Sequence, residues 1–556
     1  MTELLVVMVT AFMVIAAATV VGPRLGIAAP LVLVAIGVGA SLLPVFGSVH
    51  IEPEWILEGV LPPLLYSAAV SMPAMNFRRE FGAISGLSVV LVVATALLLG
   101  LFFALVIPGL GFGWGVALGA IVSPTDAVAT SIVKQTSVSK RVVAMLDGES
   151  LLNDATALVL LRTAILATGA AFSFWGAVGT FAYSVVVAVV IGAVVGMLNL
   201  ALRKRVTDPT VNTVISFAVP FVASVPAGQL GASGLVAAVV AGLITGIRAP
   251  RDLSPQNRLS DSQNWRTVEL VLEGGVFLTM GLQIKSIVAN VEHDHAGVGA
   301  AVLVAAGALV LTILVRAAYV APLLGSLARG SRRGKTMQTR MQRMQERLST
   351  PEGKQEMFEE VNAGWRRTSQ RGLDRFALRV TQSLADIEYF LREPLGWREG
   401  VAVVWAGMRG AVTVAAAQTL PEDTPQRSIL VLIAFTVAAL SLVVQGGTIG
   451  PLLRRIAPKV DQAALDEQTD AERSRLVEIL RTSAETVPGL PPAEGDPTPE
   501  RFRATRDHRL SVIAAQRSAL LDARDNGTFD AEVLANALAN LDASQIAMEM
   551  RGTLSG

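Results

Sequence analysis

The chain has 556 residues and a formal net charge of +1, and 52% of its residues are hydrophobic whereas only 16% are charged. A soluble protein of this length carries about 25% charged residues, so this composition, with its repeated long apolar runs, predicts a membrane protein built of helices. The small net charge gives no sign of a nucleic-acid partner, and the absence of cysteine excludes disulfides, thiolate catalysis and cysteine metal sites.

About thirteen candidate membrane spans follow one another along the chain, each near the length that a bilayer requires. The first begins without a basic flank, so we expect it to be retained and not cleaved as a signal peptide. The predicted spans cover residues 4–21, 27–46, 54–76, 83–106, 112–134, 141–168, 173–201, 208–226, 232–247, 264–290, 296–327, 396–420 and 426–453.

Charges in the loops between these spans alternate in sign. One set of loops is basic, as at Arg78-Arg79 and from Arg203 to Arg205, whereas the other set is acidic, as at Glu52 and at Glu422-Asp423. The positive-inside rule then places the N-terminus outside the cell membrane and the C-terminus in the cytoplasm. An odd number of spans agrees with that orientation.

Two polar regions lie outside the spans. The first, the insert of residues 328–395, is basic at its start and carries Met337, Met341 and Met344 at helical spacing. This pattern favours equally an amphipathic helix on anionic lipid and a solvated helical loop.

The second polar region is the tail of residues 457–556, which follows a transmembrane domain of residues 1–456. It is predicted to hold helices at 470–482 and 500–523, separated by a Pro-rich linker from Pro488 to Pro499. The tail is expected to be a cytoplasmic helical domain or a regulatory appendage.

The segment from Asp147 to Asp154 is the most informative part of the sequence, because it gathers polar oxygens at the start of an apolar span. On a helix, its four polar side chains fall within a stripe roughly 140° wide. These side chains are Glu149, Ser150, Asn153 and Asp154. Ionisable groups inside a membrane usually mark an ion or proton pathway, and this stripe suits a small cation that competes with a proton.

A second polar segment, from Ser123 to Thr130, lies in the middle of the fifth span. Pro124 disturbs the helix before it, so Thr125 and Asp126 are predicted to stand where the backbone is unwound. Carbonyl groups freed by such a break are ready cation ligands, and the N-terminus of the following half-helix favours an anion.

The twelfth span contains Arg409 between Gly407 and Gly410, which predicts a second helix break. Two interrupted spans in corresponding halves are typical of transporters built from inverted repeats. Arg316, deep in the eleventh span, has no acid nearby on its own helix. A buried arginine stays charged and needs a carboxylate, and we expect Glu149 to provide it.

With these segments, the chain resembles the monovalent cation/proton antiporter family of the first class, which includes bacterial sodium/proton antiporters and animal sodium/proton exchangers. The matching pieces occur in the family's order across residues 1–456. They are Leu61 to Tyr66 with Phe77 to Arg79, Ser123 to Ala129, Gly148 to Asp154, Arg316, and Gly407 to Val412.

The resemblance implies an all-α membrane protein with inverted repeats and two discontinuous crossing helices. It implies a homodimer whose core domain moves elevator-fashion against a dimerisation domain. It also implies that Asp154 binds the cation or the proton, with assistance from a set of neighbouring residues. These are Thr125, Asp126, Glu149, Ser150 and Asn153.

In this family an Asn153-Asp154 pair implies electroneutral exchange, whereas the electrogenic branch carries two aspartates. Ser67 departs from the family pattern, because many relatives have an acid at this position. Any role that this acid has in ion access or pH response in relatives is therefore not expected of Ser67.

The predicted function is exchange of one monovalent cation for one H⁺, with Na⁺ as the preferred prediction for the cation. Both ions are expected to compete for the Asp154 carboxylate. Na⁺ is expected on oxygens of Asp154, Thr125, Ser150 and Glu149, with Arg316 and Arg409 balancing charge. No resident metal or other cofactor is predicted, and the partners are a second copy, the lipid bilayer and monovalent cations.

Four other functions are weighed against this one. A K⁺/H⁺ antiporter would use the same site. A cation channel would more naturally use symmetric rings of ligands. An intramembrane hydrolase could use Ser150 and Asp154, but no predicted core span contains a histidine to act as base. A receptor role suits only the tail and leaves the intramembrane charges unexplained.

Overall fold

A computed structural model describes residues 2–24, 27–43, 52–134, 136, 138–169, 174–293, 297–362, 369–456, 462–489 and 499–553. Within these ranges the regular secondary structure is helical, as the continuous apolar runs predict. The chain divides into two compact units. The first comprises residues 1–252, 260–324 and 396–457, and the second comprises residues 253–259, 325–395 and 458–556.

The helices of the N-terminal half are α1 Thr2–Arg24, α2 Ala29–Ser41, α3 Leu61–Ser71, α4 Ala74–Ser85, α5 Val92–Val106, α6 Gly111–Val122, α7 Val128–Val133, α8 Lys140–Gly169, α9 Phe174–Arg203, α10 Pro209–Gln229, α11 Gly234–Asp252 and α12 Pro255–Leu282.

The remaining helices are α13 Ile284–His293, α14 Val298–Ser349, α15 Pro351–Asn362, α16 Gln370–Arg392, α17 Trp397–Trp405, α18 Ala411–Gln418, α19 Arg427–Ser441, α20 Gly447–Ile456, α21 Gln462–Glu485, α22 Pro499–Asn526 and α23 Ala531–Thr553. Three π-helical segments, Trp55–Val60, Gly86–Leu91 and Leu442–Gly446, lie within otherwise α-helical runs.

All the predicted spans overlap helices of the first unit, although their boundaries shift by several residues. Nine helices of the described chain are long and apolar enough to cross a membrane, and three more are shorter but apolar. Spans five and twelve are each split in two: α6 and α7 are separated by residues 123–127, and α17 and α18 by residues 406–410. The predicted breaks are therefore present in the fold.

Small residues allow α5 and α6 to pack backbone against backbone. A Cβ atom added at Gly119 would overlap the carbonyl of Ala96, and one added at Gly115 would overlap the carbonyl of Gly100. In a membrane, where helix association relies on close van der Waals packing, such small residues bring helices together. This contact fixes α6, and with it the first helix break, against a long membrane helix.

Two arginines at helix ends are buried in ion pairs. The Arg141 Nε atom donates to Glu80 Oε1 at 2.6 Å, linking the start of α8 to α4. Arg203, at the end of α9, has its Nη2 atom 3.0 Å from Asp261 Oδ2 and donates from Nε to Asn212 Oδ1. Their positions at helix ends were predicted correctly, but burial of the side chains was not.

The second unit contains α15, α16, α21 to α23, the end of α14 and the segment Leu253–Leu259. The tail helices share a core around Leu476, Leu520 and Leu534. The helix α23 was not predicted from the sequence. The predicted domain boundary at 456/457 and most of the linker between Pro488 and Pro499 fall on residues 457–461 and 490–498, which lie outside the described residues.

The methionines of the insert pack against protein. Met341 and Met344 lie against a cluster of buried residues that includes Met357 and Leu373 from α15 and α16. Met337 remains half exposed. The side of α14 that carries Met341 and Met344 is therefore used within the insert and is not a free lipid-binding stripe.

Candidate cation site

The two broken helices meet at their breaks. The backbone N–H of Asp126, in the first break, donates to the carbonyl of Met408, in the second, at 2.7 Å. The Arg409 side chain donates from Nε to the Val122 carbonyl at 3.1 Å. These bonds cross from one unwound segment to the other, because each break frees backbone groups that a continuous helix would pair internally. The crossing of two discontinuous helices is thus a feature of the fold.

Asp126 lies at the centre of this crossing. Its Oδ1 atom accepts from the backbone N–H of Val128 at 2.9 Å, so the carboxylate caps the start of α7. Its Oδ2 atom lies so close to Gly410 that any Cβ atom there would overlap it. Gly410 is also the residue at which α18 begins. The carboxylate therefore stands where two half-helices start, which favours negative charge.

Arg409 is fully buried and is held almost entirely by backbone oxygens. Its guanidinium donates to the carbonyl of Gly407 as well as to that of Val122. The backbone N–H of Arg409 donates to Ser441 Oγ at 2.9 Å. Ser441 in turn donates to Gln445 Oε1 at 2.8 Å. The carbonyls of Val122 and Gly407, freed by the breaks, are consequently occupied by an arginine and not available to a cation.

Glu149 forms the main ion pair of the site. Its carboxylate lies 2.5 Å from Arg316 Nη1 and 2.8 Å from Arg316 Nη2, and both side chains are almost completely buried. The Thr125 hydroxyl also donates to Glu149 Oε1 at 3.0 Å. Arg316 therefore pairs with the acid expected from the sequence. The Thr125 hydroxyl links this ion pair to the first helix break.

Asn153 completes the link between α8 and the first break. Its Nδ2 atom donates to the carbonyl of Thr125 at 2.8 Å and to Thr125 Oγ1 at 2.7 Å. The side chain is entirely buried, yet its Oδ1 atom accepts no hydrogen bond from any residue that the structure describes. Asn153 thus orients Thr125 and leaves one buried oxygen available.

Asp154 differs from these residues, because its carboxylate has no hydrogen-bond or ion-pair partner within the described ranges. It lies close enough to Asp126 for the two carboxylate charges to influence each other. Ser150, one turn before, donates instead to the carbonyl of Asp147 on its own helix at 3.0 Å. The site therefore joins Thr125, Glu149 and Asn153 in one network and leaves Asp154 free beside Asp126.

The oxygen ligands predicted for Na⁺ are only partly available in this arrangement. Glu149 is engaged by Arg316 and Thr125, whereas the Ser150 hydroxyl donates its proton to its own helix and keeps its oxygen lone pairs. The described residues contain no group of three or more His, Asp or Glu side chains that could hold a metal ion. Oxygens near the crossing that accept no hydrogen bond from a described residue include those of Asp154, Asn153 Oδ1 and Asp126 Oδ2.

Some residues that shape the site were not found from the sequence. Ser441 and Gln445 hold the second break, because Gln445 Nε2 also donates to the carbonyl of Trp405 at 3.2 Å. Glu80 anchors the start of α8 through Arg141. Polar residues within the otherwise apolar run of α19 and the π-helical segment after it are the signal that could have identified Ser441 and Gln445.

These features define a membrane transporter with a polar site at two crossed helix breaks, and comparison with known proteins identifies its family. The model of the sodium/hydrogen exchanger transmembrane family matches residues 8–344 and 375–455. The chain belongs to this family. It is accordingly a multi-pass membrane antiporter and not an enzyme.

Individual relatives agree with this assignment. A Mycobacterium tuberculosis protein named as an uncharacterized Na⁺/H⁺ exchanger is 27% identical over 575 residues, covering 98% of this chain and 96% of the relative. A sodium, potassium, lithium and rubidium/H⁺ antiporter of Bacillus subtilis is 30% identical over 277 residues, covering 48% of this chain and 41% of that protein.

The fold is similar to that of a solved archaeal antiporter. The sodium proton antiporter MjNhaP1 from Methanocaldococcus jannaschii, at pH 8, superimposes with a TM-score of 0.55, covering 82% of this chain and all of that chain, at 14% identity. This likeness shows that the fold is shared, and the roles of individual residues must be argued from the site itself.

Proposed function

We propose that the chain exchanges Na⁺ for H⁺ across the cytoplasmic membrane, and that Asp154 carries both ions in turn. The observation that supports this most directly is the free Asp154 carboxylate beside Asp126, at the crossing of two broken helices. An acid without a partner inside a membrane protein is costly, so it is expected where an ion or proton must bind and leave.

The proposed stoichiometry is one cation for one proton. Asp154 with a bound Na⁺ and Asp154 with a bound proton carry the same net charge, and the neighbouring Asn153 adds none. The Glu149 and Arg316 charges cancel within their own pair. Transport is therefore expected to be independent of the membrane potential, which otherwise contributes about 2.3 kcal/mol per charge per 100 mV.

The rest of the proposal follows the family resemblance. The chain is expected to work as a homodimer, with its core domain moving elevator-fashion, its N-terminus outside and its C-terminus in the cytoplasm. The alternating loop charges support this orientation. Li⁺ and K⁺ remain alternative cations at the same site, since ion choice depends on ligand number and cavity size.

The test is dissipation of a pH gradient by purified protein in lipid vesicles, with Li⁺, Na⁺ or K⁺ added in turn. We expect Na⁺ to collapse the gradient, with no effect of adding choline instead. Activity with K⁺ alone would replace the proposal by K⁺/H⁺ exchange. Single-channel current in a planar bilayer would replace it by a channel.

Electroneutrality has its own test in the same vesicles. With pH clamped equal on both sides, an imposed membrane potential is expected to drive no net Na⁺ uptake. Accumulation of Na⁺ in response to the potential would show that the loaded states differ in charge, and the one-to-one stoichiometry would be wrong.

A further inference from the structure

Helix α12 carries two carboxylates that the site described above does not use. Glu269 and Glu273 are one turn apart and therefore lie on the same face of the helix. Neither makes an ion pair or hydrogen bond with another described residue, and the Glu273 side chain is exposed. Acids without partners inside a predicted span are expensive to keep, and this cost calls for a function.

The end of α12 is tied to the second broken helix. Gln418, the last residue of α18, donates from Nε2 to Oε1 of Gln283, which directly follows α12, at 2.9 Å. Spans ten and twelve cross the membrane in the same sense in the predicted alternation, so both helices lead back from this contact in the same direction. Glu273 lies about 15 Å back along α12, and Gly410 about 12 Å back along α18.

This distance places Glu273 at the level of the helix crossing. Gly410 is the residue against which the Asp126 carboxylate packs. Consistently, Asp126 and Glu269 are the two charges that act most strongly on Glu273. Glu273 therefore lies within electrostatic reach of Asp126, and Glu269 lies about 6 Å nearer the start of α12.

A second observation concerns Asn153, which precedes Asp154 in the sequence. The entirely buried Asn153 side chain, next to Asp154, has an Oδ1 atom without a donor among the described residues. Negative groups lining a narrow space raise the local concentration of cations. Acids that influence one another, close to a buried oxygen that accepts no hydrogen bond, are an arrangement that attracts a cation.

We propose that Glu273, assisted by Glu269, is an affinity-determining residue that attracts the monovalent cation and passes it to Asp126 and Asp154. This inference rests on the proposed exchange function and adds to it a residue on a different helix from the site. Glu273 acts by charge at the approach to the site, while Asp154 holds the transported ion.

The experiment measures Na⁺-dependent proton flux in proteoliposomes over a range of Na⁺ concentrations. Glu273→Gln is expected to raise the KM for Na⁺ about fivefold with the maximal rate kept within about twofold, the size expected for one screened charge nearby. Glu273→Asp keeps the charge and is expected to keep the KM. The matched control is Glu292→Gln, which removes an exposed acid from α13.

Ionic strength gives a second readout that needs no variant. Adding choline chloride, which screens charges without supplying a transported ion, is expected to raise the wild-type KM and to shrink the difference from Glu273→Gln. An unchanged KM in Glu273→Gln, or a loss confined to the maximal rate, would overturn the inference. Absence of Na⁺-dependent flux in the wild type would instead overturn the proposed function.

Discussion

Glu149 and Asp154 lie on the same membrane helix, but their surroundings are opposite. The Glu149 carboxylate accepts hydrogen bonds from the Nη1 and Nη2 atoms of Arg316 and from the Thr125 hydroxyl. Asp154 has no hydrogen-bond or ion-pair partner among the described residues and is influenced by the like charge of Asp126. Two acids of one polar stripe therefore differ in their surroundings: Glu149 is paired and links helices, whereas Asp154 has no partner among the described residues, as the proposed ion exchange requires.

The largest effect on stability is expected from breaking the ion pair between Arg316 and Glu149. Arg316→Ala leaves the Glu149 carboxylate buried without compensation, which should lower the free energy of unfolding by about 3–5 kcal/mol. Thermal unfolding of the detergent-solubilised protein measures this loss. The double variant Arg316→Met with Glu149→Leu removes both charges and is expected to recover most of the stability. Equal melting temperatures for Arg316→Ala and wild type would show that the pair is not structural.

Gly410→Ala should disturb the crossing where the free acid lies. Any Cβ atom at Gly410 overlaps Asp126 Oδ2, so the carboxylate or the second break must move. We expect Na⁺-dependent proton flux to fall at least about tenfold, since a misplaced group in a binding site costs that order of activity. Gly447→Ala is the matched control, because no atom lies within 4 Å of a Cβ at that position. Wild-type flux in Gly410→Ala would contradict this geometry.

Asn153→Asp tests whether residue 153, which lies between Glu149 and Asp154 in the sequence, must donate hydrogen bonds to Thr125. A carboxylate there would face the Thr125 carbonyl and hydroxyl oxygens without an N–H to offer. We expect a loss of about 1–3 kcal/mol in stability, the cost of leaving such buried groups unsatisfied. A variant as stable as wild type, with transport that now responds to membrane potential, would favour a simple two-aspartate site instead.

Ser150→Ala is expected to have the smallest effect. The Ser150 hydroxyl donates to the Asp147 carbonyl within its own helix and does not contact the other site residues in the described structure. The KM for Na⁺, measured by flux titration, should therefore change less than about twofold, since a local hydrogen bond of this kind contributes little. A tenfold rise in KM would support Ser150 as the Na⁺ ligand that the sequence predicted.

The sequence predicted the parts of the site that rest on local chemistry. Pro124 and the glycines around Arg409 indicated both helix breaks, and burial of Arg316 required an acid, of which Glu149 was the best placed. The family resemblance added the role of Asp154 and the dimeric, elevator-type mechanism, which remain predictions.

The features of the site that could not be predicted depend on side-chain direction and on packing between helices that are distant in the sequence. The stripe that groups Ser150 with Asp154 does not reveal that the hydroxyl bonds back to its own helix. Likewise, the spacing of Glu269 and Glu273 shows a shared face but not which neighbour it meets. The missed helix α23 had a usable local signal, because Leu534, Leu538 and Leu541 recur at helical spacing.

The most direct test of the account is Asp154→Asn in reconstituted vesicles, assayed for Na⁺-dependent dissipation of a pH gradient. Because the amide can neither release a proton nor balance the charge of Na⁺, the flux should fall to that of protein-free vesicles while thermal unfolding stays close to wild type. A folded Asp154→Asn protein that still exchanges Na⁺ for H⁺ would contradict the central role of this carboxylate.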